Sequence, residues 1–282
     1  MKRLRILRRW FKRRFGYARL LCVGLLIGVA ALRVADPAPI EEFRVRTFDT
    51  FQVLEPRVKT ARPVRIVNID EKSLAKFGQW PWPRTVVADL VNSLNRLGPA
   101  AIGFDVMFAE PDRLNPAVAA GTLRNLDEET RAKLRALPSN DDLLAEAMRR
   151  SRVALGETGL PDVVAELDKE LPVTGLAMLG ENPQRFMLEF PGLLRSTPVL
   201  EAAASGRGLL TIRTERDGIV RRVPVIMQAQ GLTMPSLSFE MLRLASGSDT
   251  ILIKSTDAGI TSVAVKGFAV PTDVHGQIWV HF

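Results

Sequence analysis

The sequence predicts a mixed α/β domain preceded by a single transmembrane helix, with a parallel βαβ core and a β-rich C-terminal half. Three observations support this fold class. An apolar run follows a basic N-terminus, a strand-helix-strand pattern occupies residues 64–108, and short strand patterns separated by turn residues fill the second half. The hydrophobic content of 46% is that of a globular protein, which excludes a disordered chain.

The apolar run predicts a transmembrane helix over residues 15–35. Its central part, Leu20–Leu32, contains thirteen residues without a charge, and only Arg19 and Arg33 interrupt the apolar flanks. Both arginines lie near the ends of the run, where a long side chain reaches the lipid headgroups. The run with its flanks is therefore long enough to span a bilayer.

The positive charge of the chain is concentrated before this run. Ten of the 39 Lys and Arg residues lie within the first 35 positions, where no acidic residue occurs. We therefore expect residues 1–14 to form a cytoplasmic tail and residues 36–282 an extracytoplasmic domain, held in the bacterial inner membrane. A cleaved signal peptide and a twin-arginine export signal at Arg8-Arg9 are the alternatives.

The part of the chain beyond the apolar run is nearly neutral. Its 29 basic residues are balanced by 31 acidic residues, a net charge of −2. Such a body lacks the positive surface that nucleic-acid binding requires, and we expect no nucleic-acid partner.

The first half of the domain alternates strand and helix patterns. The predicted elements are a strand at 64–70, a helix at 85–97, a strand at 100–108, a surface insertion at 110–138, a helix at 140–150 and a strand at 152–156. A strand, a crossover helix and a second strand at this spacing make a parallel βαβ unit.

The second half is richer in short strands. The predicted elements are a helix at 199–205, a hairpin of strands 208–214 and 219–227, a helix at 236–245 and strands at 251–254, 262–265 and 277–282. The hairpin prediction depends on Asp217-Gly218, a pair typical of tight turns between strands.

Two carboxylates, Asp70 and Asp105, lie at the ends of the two predicted parallel strands. Open α/β sheets bind ligands at that edge, so the pair is a candidate site for a cation or a polar ligand. The alternative is that each carboxylate caps a turn or helix, or pairs with an arginine. Arg84 is a candidate for binding an anion or for pairing with one of these two acids.

Two tryptophans lie on a stiff proline-containing segment, Gln79-Trp80-Pro81-Trp82-Pro83. Trp80 and Trp82 are candidates for stacking on a ligand. The alternative is that both rings pack on the core beside the helix at 85–97.

No catalytic constellation is evident in the sequence. It lacks a Gly-rich phosphate loop, a Gly-x-Ser-x-Gly nucleophile motif and the signatures of kinases and cyclases. His275 and His281 have no cysteine or acidic partner at metal-ligand spacing. We therefore predict no catalytic residue, no metal and no cofactor for this chain.

Four stretches resemble the CHASE2 family, in the order expected of its members. They are PVRIVNIDEKSLAKFGQWPWPR (Pro63–Arg84), GPAAIGFDVMFAEPDR (Gly98–Arg113), DGIVRRVP (Asp217–Pro224) and TMPSLSFEML (Thr233–Leu242). The resemblance covers residues 47–282 and implies an extracytoplasmic sensory domain behind one transmembrane helix. Family members typically continue into further membrane helices and an adenylate or guanylate cyclase or a kinase. These parts are missing here, so the chain is interpreted as a fragment or a truncated product.

The resemblance implies a ligand-sensing input domain of a membrane receptor. We expect it to bind an unidentified small molecule or envelope component, to contact the lipid bilayer and, like many transmembrane receptors, to form a homodimer. Two alternatives remain, a periplasmic metal-dependent enzyme that uses Asp70 and Asp105, and a structural envelope protein.

Overall fold

The computed structural model describes residues 2–35, 37–58, 63–164 and 174–281, with side chains from residue 16 onward. The chain divides into two compact units. The first comprises Met1–Arg65 with His281–Phe282, and the second comprises Ile66–Val280. Helices, parallel strand pairs and a strand-rich C-terminal half confirm the predicted mixed α/β class.

The first unit contains two helices, α1 (Lys2–Ala35) and α2 (Ala38–Leu54). Gly16 interrupts α1 with φ 54° and ψ 149°, a backbone conformation that glycine adopts at little cost. The segment after this kink, Gly16–Ala35, has 20 residues and a mean hydropathy of 2.0, and none of it is buried. By length and composition it is a candidate membrane span, which confirms the predicted apolar helix.

The second unit begins with alternating helices and strands. Its first elements are α3 (Glu71–Phe77), α4 (Arg84–Asn95), β1 (Ile102–Phe104), α5 (Pro116–Thr122), α6 (Glu128–Ala136), α7 (Asn140–Arg149), β2 (Val153–Leu160), β3 (Gly175–Gly180), β4 (Glu189–Phe190), β5 (Gly192–Leu194), α8 (Pro198–Ala203) and β6 (Gly206–Leu209). Strand β2 is central: β1 and β6 pair with it in parallel, and β5 pairs antiparallel with its last residues. A short 3₁₀ turn, Gln184–Phe186, precedes β4.

Helices α4, α7 and α8 pack against β1 and β2 and share one hydrophobic core. Its fully buried side chains include Val91, Leu144, Met148, Leu155 and Leu200. The connection from β1 through α5, α6 and α7 to β2 is a parallel βαβ crossover, so a parallel βαβ core is present, but it lies later in the chain than the unit predicted over residues 64–108.

The remaining elements form small sheets. They are β7 (Arg222–Pro224), β8 (Ile226–Ala229), β9 (Leu232–Pro235), α9 (Leu237–Ser246), β10 (Thr250–Thr256), β11 (Gly259–Val265), β12 (Phe268–Pro271) and β13 (Gln277–Trp279). The largest of these sheets has the order β12-β11-β10-β3, with β3 parallel to β10. Helix α9 packs on the first sheet, and Gly208 permits this because a Cβ there would overlap the backbone of Leu237.

The predicted strand at 64–70 is wrong, because residues 63–70 have no regular structure. Val64, Ile66 and Val67 are exposed by 66, 90 and 55%, so no strand in the described part of the chain covers them. A β-branched composition favours a strand only where the side chains pack against neighbours. The parallel core is built from β1, β2 and β6 instead, and β1 is shorter than the predicted strand at 100–108.

The predicted hairpin at 208–227 is also wrong. Gly218 does form a tight turn, with φ 81° and its N–H donating to the Glu215 carbonyl at 2.9 Å. The flanks pair through side chains rather than through a strand ladder: Arg221 bonds both oxygens of Asp217, and Arg222 bonds Glu215. Strand β6 pairs with β2 instead.

Candidate functional site

Asp70 is the N-cap of α3. Its Oδ1 accepts hydrogen bonds from the backbone N–H of Ser73 at 2.9 Å and from the Ser73 hydroxyl at 2.8 Å. These two bonds favour the charged carboxylate and lower the pKa of Asp70, although the side chain is exposed. Asp70 therefore caps a helix, which was the alternative to a ligand-binding role predicted from the sequence.

Trp82 is a core residue, with 5% of its surface exposed. Its indole N–H donates to the Gly78 carbonyl at 2.8 Å, and its ring lies 5.3 Å from that of Phe77. Trp80 is half-buried, and its ring meets Trp82 edge-on with the centroids 5.7 Å apart. Both rings pack on the main core, so part of each indole is occupied by structural contacts.

Replacing Trp82 by phenylalanine is expected to lower the free energy of unfolding by about 1–2 kcal/mol, since the hydrogen bond to Gly78 and part of the ring volume are lost. The matched variant Trp80→Phe should cost less, because Trp80 is only half-buried. Denaturant unfolding of both variants measures the difference. Equal losses would contradict the assignment of Trp82 as the anchor of this segment.

Arg84 is buried and pairs with acids other than those the sequence suggested. Its backbone N–H donates to Asp112 Oδ2 at 2.8 Å, its Nε lies 3.3 Å from Asp141 Oδ1, and its Nη2 donates to the Glu110 carbonyl at 3.0 Å. Its guanidinium also lies over the Phe108 ring, 4.5 Å from the centroid. The expected pairing of Arg84 with Asp70 or Asp105 is therefore wrong, and its acidic partners are Asp112 and Asp141.

Asp112 and Asp141 belong to a buried polar cluster with Asn115 and Asn140. Asp141 Oδ2 accepts from Asn115 Nδ2 at 2.7 Å, and Asp112 Oδ2 accepts from Asn140 Nδ2 at 2.9 Å. Burial favours a raised pKa for Asp112, but hydrogen bonds from Leu114, Arg84 and Asn140 outweigh it and lower the pKa. The hydrogen bonds of this cluster connect the stretch predicted to be a surface insertion with the first residues of α4 and α7.

Asp105 is exposed and directly follows β1. Since Asp70 caps α3 and no strand ends there, the two carboxylates do not mark the ends of neighbouring strands. Within the described ranges, no group of three or more His, Cys, Asp or Glu side chains is arranged to hold a metal ion.

A second buried network was missed by the sequence analysis. It joins three acids and three arginines: Glu157, Arg195, Glu201, Arg207, Glu240 and Arg243. The three glutamates are fully buried, which is rare for this residue type and requires compensating partners. The network connects β2, the segment after β5, α8, β6 and α9.

Glu201 and Glu240 are well paired within this network. Glu201 Oε2 accepts from Arg207 Nε at 2.6 Å and from Arg195 Nη2 at 2.8 Å. Glu240 receives two parallel bonds from Arg243, each 2.8 Å long, and a third from the backbone N–H of Arg207 at 3.2 Å. Such charge-assisted bonds offset the cost of removing the carboxylates from water.

Glu157 is different, because neither of its carboxyl oxygens accepts a hydrogen bond from a donor among the described residues. Its nearest ion-pair contact is Arg195 Nε, 3.5 Å from Glu157 Oε1. Burial, and next to it the negative charge of Glu201, raise the pKa of Glu157 to about 8. At neutral pH this carboxyl group is therefore mostly protonated.

The profile of the CHASE2 domain matches residues 22–282 of this chain, nearly its full length. The chain belongs to the CHASE2 family. CHASE2 domains are extracytoplasmic sensory domains and are not themselves catalytic. Comparisons with curated proteins and with solved structures gave no match.

The CHASE2 match includes both features found above: the segment with Trp82 and Arg84, and the buried network around Glu157. Of these two features, only the segment with Trp82 and Arg84 was recognised from the sequence. The available signal for Glu157 was that it is the single charged residue of a mostly apolar strand, Val153–Leu160. The predicted strand at 152–156 ended one residue before it.

Proposed function

We propose that this CHASE2 chain is the ligand-sensing input part of a membrane-bound receptor of the adenylate or guanylate cyclase type. The observation that carries the proposal is the family match over residues 22–282, which begins inside the apolar helix Gly16–Ala35 and continues through the α/β unit. Anchor and sensory domain are therefore parts of one matched unit. The cyclase or kinase output would lie in another part of the receptor.

The charge distribution supports an orientation for this anchor. The basic residues before Gly16 favour the cytoplasmic side, and the nearly neutral remainder carries no comparable charge to retain it there. The helix Gly16–Ala35 has no buried residue and presents its apolar side chains outward, as a lipid-facing helix does. We place the chain in the inner membrane with the α/β unit outside the cytoplasm, and a homodimer is part of the proposal.

The five candidate ligand-binding residues take unequal parts in the proposal. Asp70 and Asp105 are exposed and Trp80 is half-buried, so a small molecule or envelope component can reach them from solvent. Trp82 and Arg84 are buried, and their contribution would be to hold the Trp80 segment in place. The metal-dependent enzyme is the weaker alternative, because Asp70 already uses its carboxylate to cap α3.

Orientation is testable by cysteine labelling, since Cys22 is the only cysteine. In a Cys22→Ser background, Ala132→Cys on α6 should react with a membrane-impermeant maleimide in intact cells, because position 132 is exposed on the α/β unit. The matched control Lys12→Cys should react only after the cells are permeabilised. The reverse pattern would refute the proposed orientation.

A further inference from the structure

The strongest unassigned feature of the second unit is the surroundings of Glu157. Its fully buried carboxyl group is faced by Arg195 from the segment after β5, by Glu201 from α8 and by Arg207 from β6. Helix α9, which also packs on β2, contributes Glu240, whose carboxylate is bonded to Arg243. Two acids therefore compete for the two arginines that are not committed to Glu240.

Glu201 binds both of these arginines in the structure. It accepts from Arg195, from Arg207 and from the backbone N–H of Ser196 at 3.2 Å. Glu157 is left with oxygens that have no described hydrogen-bond donor. An ionised carboxylate there would have only the nearby arginine charges, with Arg195 Nε 3.5 Å away, to offset its desolvation, whereas a protonated carboxyl group carries no charge to desolvate.

We propose that the Glu157 carboxyl group is a proton-binding site in the domain core, and that Arg195 changes its carboxylate partner when the proton leaves. The O–H bond of Glu157 breaks, the proton passes to water and the carboxylate keeps the electron pair. Glu157 then carries a negative charge beside the Arg195 guanidinium.

Arg195 has the geometry for such an exchange. Its Nη2 bonds Glu201, while its Nε, 3.5 Å from Glu157, and its Nη1 have no hydrogen-bond partner among the described residues. A small rotation of the guanidinium would bring Nε within bonding distance of Glu157. Glu201 would keep its bonds to Arg207 and Ser196, so the exchange leaves no acid unpaired.

A water molecule has room beside these arginines. Arg195, Arg207, Thr174 and Thr233 line a cavity of about 10 Å³, close to the smallest volume that holds one water. The buried hydroxyl of Thr233 also lacks a described hydrogen-bond partner. A water in this cavity would be a hydrogen-bond partner for the network while Glu157 exchanges its proton.

The exchange gives the domain two states that differ in the link between β5 and α8, where Arg195 lies. A pH-dependent bias between two such arrangements is how a protonation event becomes a signal. This last step, that the external proton is a stimulus of the receptor, rests on the proposed function. Proton binding by Glu157 does not, so it is tested on the purified full chain.

Infrared difference spectroscopy measures the proton directly. Between about pH 6 and pH 10, the purified chain should lose the carbonyl stretch of one protonated carboxylic acid, with a midpoint near the Glu157 pKa of about 8. ¹³C labelling of glutamate should shift this band. Glu157→Gln should lack it, and Glu146→Gln, whose carboxylate pairs with Arg150 on the surface, should retain it.

The Arg195 exchange has its own readout. Arg195→Gln removes the cation that stabilises ionised Glu157, so the midpoint of the band should move to higher pH. An unchanged midpoint would refute the role of Arg195. Absence of a glutamate-derived band in the unmodified chain at about pH 6, or its persistence in Glu157→Gln, would refute the site itself. Absence of the band in the unmodified chain is decisive even if Glu157→Gln fails to fold.

Discussion

Replacing Arg243 by methionine is expected to lower the free energy of unfolding by about 3–5 kcal/mol, the usual cost of removing one partner of a buried ion pair. The variant would leave the fully buried Glu240 without its two bonds from Arg243. It would also remove the guanidinium bonds to the carbonyls of Ser248 and Ser205, at 2.7 and 3.1 Å. Methionine fills much of the same space, so the loss reports the removed charge and its hydrogen bonds rather than a cavity.

Arg150→Met is the matched control for this prediction. Arg150 pairs with Glu146 one turn away on α7, but about 59% of the Arg150 side chain is exposed. Exposed pairs of this kind contribute about 0–1 kcal/mol. Urea unfolding of both variants at the same pH gives the comparison, and similar losses in the two would show that the Glu240–Arg243 pair is not needed by the core.

The second large effect is a pH dependence of stability that depends on Glu157. The unfolded carboxyl group titrates near its ordinary pKa of 4.5, and the folded one near 8. Between these values the folded chain holds a proton that the unfolded chain has lost, so raising the pH favours unfolding. The stabilising contribution of Glu157 should be complete below about pH 4.5, fall by up to about 1.4 kcal/mol per pH unit through this window and level off above about pH 8.

Glu157→Gln should remove this decline, because glutamine imitates the protonated acid and does not titrate. The variant should therefore lose less stability than the unmodified chain between about pH 5 and pH 9. Acids whose pKa is lowered in the folded chain, such as Asp112, change the stability only at lower pH. They therefore do not affect the comparison of Glu157→Gln with the unmodified chain. Parallel stability curves for the two proteins would contradict the raised pKa of Glu157.

The helices of this domain were predictable because their signals are local. The predicted helices at 85–97, 140–150 and 236–245 correspond to Arg84–Asn95, Asn140–Arg149 and Leu237–Ser246. Each carries an apolar stripe at helical spacing, and the Ser139 hydroxyl caps α7 by accepting from the Asp141 N–H. A few neighbouring residues are enough to fix such elements.

The strands were less predictable because their partners lie far away in the chain. Residues 64–70 have strand composition but no partner strand among the described residues, and β6 pairs with β2, about fifty residues earlier, rather than with its sequence neighbour. The Asp217-Gly218 turn was predicted correctly, yet a turn alone does not make strands pair. Here the ion pairs of Arg221 and Arg222 hold the flanks instead.

The same distance effect limited the prediction of the site. Arg84 was identified, but its partners Asp112 and Asp141 lie in a stretch interpreted as a surface insertion and at the start of α7. Glu157, Glu201 and Arg207 come together only when β2, α8 and β6 assemble. An acid in an apolar strand is a sign of a buried pair, but the sequence does not identify its partner.

We propose that the helix Gly16–Ala35 holds the CHASE2 domain outside the cytoplasm. Reporter fusions at the end of the chain test it most directly. Alkaline phosphatase, which folds only outside the cytoplasm, should be active there, and a fluorescent protein that matures only in the cytoplasm should be dark. Fluorescence without phosphatase activity would contradict the account.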